Sequence, residues 1–239
     1  DELTTSACFG AGKPASPAIS LHVELSLAEN AGVSLASHKE LDIVSTVVKL
    51  GRTVSNVRCD IYDPNDNNKL VAFGSQVKYM PTGNCLLDLA FSKRWVWDLS
   101  MLFYGGDPIK YEEKNLRKEV IGDYLQFESL GSASFKVTPE HVQPFGTLEG
   151  GCHGLLMEMV GESLAKKKLE TEDPILESMF IDYVSVGRGN VKIVAEAITT
   201  TQMRVCIYSE KGKIVSDGKL TWSAPVVKPT LMKKSTSKK

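Results

Sequence analysis

The chain lacks an even set of cysteines, any CxxC pair, a long apolar run and an appreciable net charge, and each absence narrows what it can be. A formal net charge of -1 over 239 residues leaves no electrostatic case for nucleic acid or an anionic membrane surface. Cys8, Cys59, Cys85, Cys152 and Cys206 are odd in number and without metal-type spacing. That argues against a disulfide framework or a zinc site, and the five read as reduced thiols. No apolar run approaches the roughly 20 residues needed to cross a bilayer, so no membrane span is expected. What is present is ordinary globular composition, 42% hydrophobic and 24% charged, at a length suited to one large or two modest domains.

Within that composition the two halves end alike. Arg58, Ile61, Tyr62, Lys69-Leu70-Val71, Gly74 and Pro81 recur as Arg204, Ile207, Tyr208, Lys213-Ile214-Val215, Gly218 and Pro225, with a two-residue deletion in the intervening turn. Self-similarity of this length is the sign of a duplicated domain.

The first copy reads as a helix followed by an antiparallel meander. Asp1 to Phe9 resembles the later part of a helix that stops at Gly10-Ala11-Gly12. A domain seldom begins in mid-helix, so residues upstream of Asp1 are expected in the full protein. Ala18 to Leu27 alternates apolar and polar positions, as a strand does. Strands are also expected at Asp42 to Leu50, Thr53 to Tyr62 and Lys69 to Tyr79, the last two joined by the turn-forming run Asp63 to Asn68. The second copy is more complete: a strand at Ser132 to Thr138, a glycine-punctuated loop from Gln143 to Gly151, then a helix over Cys152 to Leu169. On that helix Leu155, Leu156, Met159, Val160 and Leu164 fall near one face, and Lys166-Lys167-Lys168 complements the negative end of the dipole. Four strands follow, at Met179 to Val186, Val191 to Thr199, Met203 to Tyr208 and Lys213 to Trp222.

These elements give domains at 1–81, lacking an N-terminal strand and loop, and at 132–227, with a connection over 82–131 and a basic, disordered tail at 228–239. The connection carries Trp95-Val96-Trp97 and an apolar run to Tyr104. Its aromatics either pack on the domains they join or form a docking surface, for a second copy or a larger assembly.

The run Lys136-Val137-Thr138-Pro139-Glu140-His141, then Gly146-Thr147-Leu148-Glu149-Gly150-Gly151, a helix and four strands resembles the hotdog fold of the acyl-CoA thioesterase superfamily. Its phenylacetate-type, 4-hydroxybenzoyl-CoA thioesterase-like branch has a loop Asn-x-x-Gly-Thr-Leu-His-Gly-Gly followed by a helical carboxylate. In the first copy Asp1 to Thr5 resembles the helical part of that motif, Ser20 a strand serine, and Lys49-Leu50-Gly51-Arg52-Thr53 a basic turn. The resemblance implies an α+β chain of two hotdog domains, each a helix wrapped by an antiparallel sheet, forming an intramolecular pseudo-dimer.

It also implies a site shared between the domains. Thioester hydrolysis needs a carboxylate to activate water and donors for the oxyanion. By resemblance Asp1 is the carboxylate, Ser20 positions water, Gln143 replaces the usual Asn, and the Gly150 amide faces the oxyanion. Glu158 is the equivalent carboxylate of a second site whose serine position falls on Leu176. Arg52 and Thr53 would meet the phosphates of CoA, which enters as part of the substrate, with no separate cofactor. Glu149 stands where the family has His, placing negative charge near the oxyanion. The resemblance therefore supports an acyl-CoA thioesterase, with a catalytically inactive accessory subunit as the alternative, docking through 95–104 and an extra loop at Val33 to Lys39. A dehydratase of the same fold would want His at Glu149. The expected compartment is intracellular and reducing, the mitochondrion before the cytoplasm.

Overall fold

The computed structural model describes residues 19–28, 40–79, 121, 124–138, 141–142 and 147–225. The readings at Asp1, at Gln143, over 95–104, at Val33 to Lys39 and in the tail lie outside these residues.

Each half contributes antiparallel strands. In the first half these are β1 (Ile19–Leu27), β2 (Asp42–Leu50), β3 (Val54–Asp63) and β4 (Lys69–Tyr79). The turn between β3 and β4 follows its composition: Asn67 and Asn68 adopt left-handed φ of 50° and 54°, and Asp63 Oδ1 accepts the Asn65 amide at 2.9 Å. The second half supplies β5 (Leu125–Ser129), β6 (Ser132–Lys136), β7 (Ile175–Tyr183), β8 (Asn190–Ala197), β9 (Gln202–Ser209) and β10 (Ile214–Ser223). In β9 Met203, Val205 and Ile207 are buried on one face, while on the other Arg204 is exposed and Cys206 buried.

The ten strands among the described residues form one sheet, in the order β2-β3-β4-β1-β7-β10-β9-β8-β6-β5. The two halves meet at β1 and β7, antiparallel, with Glu24 opposite Phe180. The repeat keeps its register: the residue after the shared arginine faces the shared glycine in both halves, Cys59 opposite Gly74 and Val205 opposite Gly218. A bulge recurs as well. It falls between Ser20 and His22 against β4, and at the matching point of the β7–β10 pair, where Leu176 faces Trp222 as Ser20 faces Lys78. Leu176 thus occupies in the second half the position that Ser20 holds in the first.

β5 falls within the stretch read from sequence as connection. Its outward residues Gln126, Glu128 and Ser129 are exposed and gave little periodic signal, but Leu125 and Ile121 join the core.

The helix of the second half, α1 (Gly150–Leu169), lies against β7, β8, β9 and β10. It starts two residues earlier than its sequence suggests, because Glu149 caps it in extended conformation (φ -71°, ψ 146°) and allows both glycines to enter the first turn. Its buried residues are His153, Leu156, Met157, Val160, Gly161, Leu164 and Ala165. Leu155 and Met159, assigned to the inner face from sequence, are half-buried at its margin, and Met157 takes the central place. Each fully buried Leu, Met or Val contributes about 1.5–3 kcal/mol. Gly161 lets the helix come close: a Cβ there would lie 3.3 Å from Val205 Cγ2 and 3.4 Å from Leu220 Cδ2.

Candidate functional site

The N-terminus of α1 points into a cleft at the junction of the two halves. Thr138, His141 and Leu148 lead the chain to it. His141 is fully buried; its Nδ1 accepts the Thr138 amide at 3.2 Å and its carbonyl accepts the Glu149 amide at 2.9 Å. The imidazole also meets Tyr124 and Phe135 edge-on, so the His of the Lys136-to-His141 motif serves to fix the loop.

Two adjoining cavities make up the cleft, of about 280 and 290 Å³. Ser20 of β1, Gly150 of α1 and Tyr183 of β7 line both, so two residues assigned from the family resemblance, one from each half, share a wall. Ser20 Oγ accepts a hydrogen bond from Gln76 Nε2 at 2.6 Å. The Tyr183 hydroxyl donates to the Gly150 carbonyl at 3.1 Å, which fixes the orientation of the first peptide of the helix. Burial pushes the Tyr183 pKa upward, and the Glu149 carboxylate adds to the shift, so the phenol stays protonated and able to donate.

Glu149 places a carboxylate at the head of α1. Its Oε2 accepts from the Gly151 amide at 2.7 Å and the Cys152 amide at 3.2 Å. These are donors that an oxyanion at the helix N-terminus would seek. Next to it, burial first and the Glu149 charge second push the Cys152 thiol up to about 11, so it is neither a ready nucleophile nor a metal ligand. Among the described residues no group of three His, Cys, Asp or Glu is placed to hold a metal ion.

His153 lies one turn into α1, on the wall of the first cavity, with Nδ1 2.8 Å from Ser216 Oγ on β10. Burial pushes its pKa down from 6.5 to about 4, while a hydrogen bond to the Leu148 carbonyl works the other way. The unfolded chain takes up a proton at this residue near pH 6.5 and the folded chain only near pH 4. The contribution to stability is therefore complete above pH 6.5 and is lost as the pH falls toward 4. The expected loss between pH 7 and pH 4 is about 3 kcal/mol. Urea midpoints across that range should show it, and His153→Gln should flatten the slope by that amount.

Among the described residues, the other assigned ones, Arg52, Thr53 and Glu158, line neither cavity. Arg52 and Thr53 are in the turn between β2 and β3. They are, however, at the same end of the sheet as Ser20, since Leu50, Ser55, Lys78 and Ser20 form one transverse row. Glu158, half-buried two turns into α1, also lines neither. The Gln76–Ser20 pair, the Tyr183–Gly150 bond and the capping role of Glu149 were not assigned from sequence. Gln76 had a usable signal, because the repeat sets it against the apolar Leu220.

No family model matches the chain, and no curated protein is significantly similar to it in sequence. Solved structures do match its fold. An acyl-ACP thioesterase from Bacteroides thetaiotaomicron aligns with a TM-score of 0.53 at 10% identity, covering 87% of this chain and 77% of that one. A 12:0-ACP thioesterase from Umbellularia californica gives 0.53 at 6% identity, over 88% of this chain and 76% of that one. A tesB protein from Mycobacterium avium subsp. paratuberculosis gives 0.52 at 10%, over 93% and 85%. At these identities the likeness is one of architecture. The antiparallel sheet with its helix is consistent with the hotdog fold, and the chain has a thioesterase-like fold. Among the described residues no helix is long and apolar enough to cross a membrane.

Proposed function

We propose that this chain hydrolyses acyl-CoA thioesters in the cleft between its two halves, which act as an intramolecular pseudo-dimer. What carries this reading is that Ser20 on β1 and Gly150 at the head of α1, one from each half, line the same cavity. The sheet order, which reads alike from the β1–β7 junction outward through four strands on either side, supports the pseudo-dimer.

In this reading water adds to the thioester carbonyl carbon, and the resulting oxyanion takes hydrogen bonds from the first amides of α1. The C–S bond then breaks, the thiolate of CoA takes up a proton, and the acid leaves ionised. Asp1 accepts the proton of the attacking water, Ser20 and Gln143 orient it, and Gly150 donates to the oxyanion. Glu158 would serve the matching carboxylate role at a second site, where Leu176 offers no hydroxyl. Arg52 and Thr53 hold the CoA phosphates at the exposed turn. Tyr183 steadies the Gly150–Gly151 peptide throughout.

One observation favours a second reading, a catalytically inactive member of the fold that serves as an accessory subunit: Glu149 already occupies the Gly151 and Cys152 amides. Purified chain assayed against short, medium and long acyl-CoA decides between the two. The hydrolase reading expects turnover, and expects Asp1→Asn to abolish it with the fold intact. No turnover of any chain length leaves the accessory role.

A further inference from the structure

The two ends of the sheet are finished differently. At one end lies β5, five residues long, with Glu128 paired to Lys192 at 2.9 Å and Leu125 in the core. At the other lies β2, nine residues long, whose only charges are Asp42 and Lys49 and whose interior from Ile43 to Val48 carries none. Ile43, Val44, Val48 and Leu50 are 47, 50, 62 and 40% exposed. Among the described residues β3 is the sole neighbour of β2, so alternate residues of β2 direct their backbone N–H and C=O away from the sheet. Short length, charge along the strand and proline are the usual means of keeping an outermost strand from pairing. β5 has the first two, and Ile43 to Val48 has none of the three.

The repeat shows what such a position accommodates. Ile43 faces Ile61 on β3, and at the matching place Ile193 of β8 faces Ile207 on β9. β8 does not end the sheet, because β6 lies on its far side with Ala133 opposite Ile193. With β6 beside it and α1 packed on β8, Ile193 is 0% exposed. The isoleucine in the same register of the first half has no strand beside it among the described residues and stays half open to solvent.

We propose that β2 pairs with β2 of a second copy of this chain, antiparallel about a two-fold axis near Ser45 and Thr46, so that two ten-stranded sheets continue as one. Charge selects this occupant. Asp42 and Lys49 would point to opposite faces of a regular strand, but the register shift between Val47 and Lys49 sets Lys49 opposite Asn56 as Asp42 is opposite Tyr62. Asn56 and Tyr62 share a face of β3, so the two charges share a face of β2, one at each end. In an antiparallel self-pair each Asp42 falls beside Lys49 of the other copy, while the uncharged runs face each other. A parallel pair would set like charges together. The same patch serves both copies, so the contact closes at two chains. β3 and β4 separate β2 from β1 and the cleft, so the pairing holds whichever of the two functional readings is right.

Sedimentation velocity on the full chain from about 1 to 100 μM tests this. Pairing along one strand lies at or below the low end of the roughly 1,200–2,000 Å² of standard interfaces, so a reversible dimer is expected, with the mass rising from one chain to two across that range. Val44→Lys combined with Val48→Lys, both at exposed positions, should hold the chain monomeric at every concentration, with the fold intact by circular dichroism. Asp42→Lys or Lys49→Asp alone should weaken the dimer about fivefold, and the two together should restore it. A monomer throughout, growth past two chains, or association that survives both lysines would overturn the proposal. So would charge reversals whose effects add instead of cancelling, since β2 would then be meeting some other strand.

Discussion

Replacing Glu149 with alanine is expected to raise thioester turnover about tenfold or more while lowering stability by about 1 kcal/mol. The two effects have one source. The Glu149 carboxylate holds the Gly151 and Cys152 amides at 2.7 and 3.2 Å, so it caps α1 and also stands where a developing oxyanion would be stabilised. Removing it takes away a cap, a loss of about 0.5–2 kcal/mol for good capping residues. It also clears both the donors and a like charge; single oxyanion donors elsewhere are worth about a hundredfold or more in rate, so a tenfold gain from uncovering two is a modest expectation. Glu149→Gln separates the contributions, since the amide oxygen still accepts but carries no charge. Its turnover should fall between those of the parent and the alanine variant. Steady-state kinetics beside chemical denaturation reads both quantities, and a drop in turnover on Glu149→Ala would mean that the carboxylate takes part in the reaction.

Gly74→Ala should be the more damaging of two chemically identical substitutions at matched positions of the repeat. At Gly74 a new Cβ would lie 2.5 Å from the backbone carbonyl oxygen of Glu24 on β1. Backbone in a paired strand cannot move aside singly, so β1 must shift against both β4 and β7. At Gly218 the new Cβ would also come to 2.5 Å, but from Met157 Sδ, the end of a flexible side chain. The expected losses are about 3 kcal/mol for Gly74→Ala and about 1 kcal/mol for Gly218→Ala, the range found for overpacked sites. Gly218→Ala should be partly rescued by Met157→Val, and Gly74→Ala should have no such partner. Equal losses at the two positions, measured by urea unfolding, would contradict this account.

The contrast also shows which parts of the molecule can be read from sequence. The repeat marked the strands, and its two copies keep the same register, with Cys59 opposite Gly74 and Val205 opposite Gly218. Turn chemistry at Asp63 to Asn68 was legible too, being local. β5 was not, since its residues alternate weakly and its pairing with β6 is decided by Leu125 finding the core. The start of α1 was misread because consecutive glycines usually end regular structure, and only the capping geometry of Glu149 reverses that. Within the site, Ser20 and Gly150 were found by resemblance, whereas Gln76 and Tyr183 act through contacts that exist only once β1, β4 and β7 lie side by side. Tyr183 has Leu27 as its counterpart in the repeat, a pairing that offers no hint of a hydroxyl on a glycine carbonyl.

The join between β1 and β7 sets how the protein can be shortened. Those strands are linked by a backbone ladder from His22–Asp182 to Ser26–Ser178, reinforced by the 2.9 Å contact between the His22 and Asp182 side chains. A fragment cut to the second half alone would keep α1 and its core but turn β7 into a bare edge with Phe180 exposed beside it. Bare edges recruit other strands. The first half is thus also a permanent cover that keeps the better-packed half from aggregating, and a truncation that preserves the core would still yield a sticky protein.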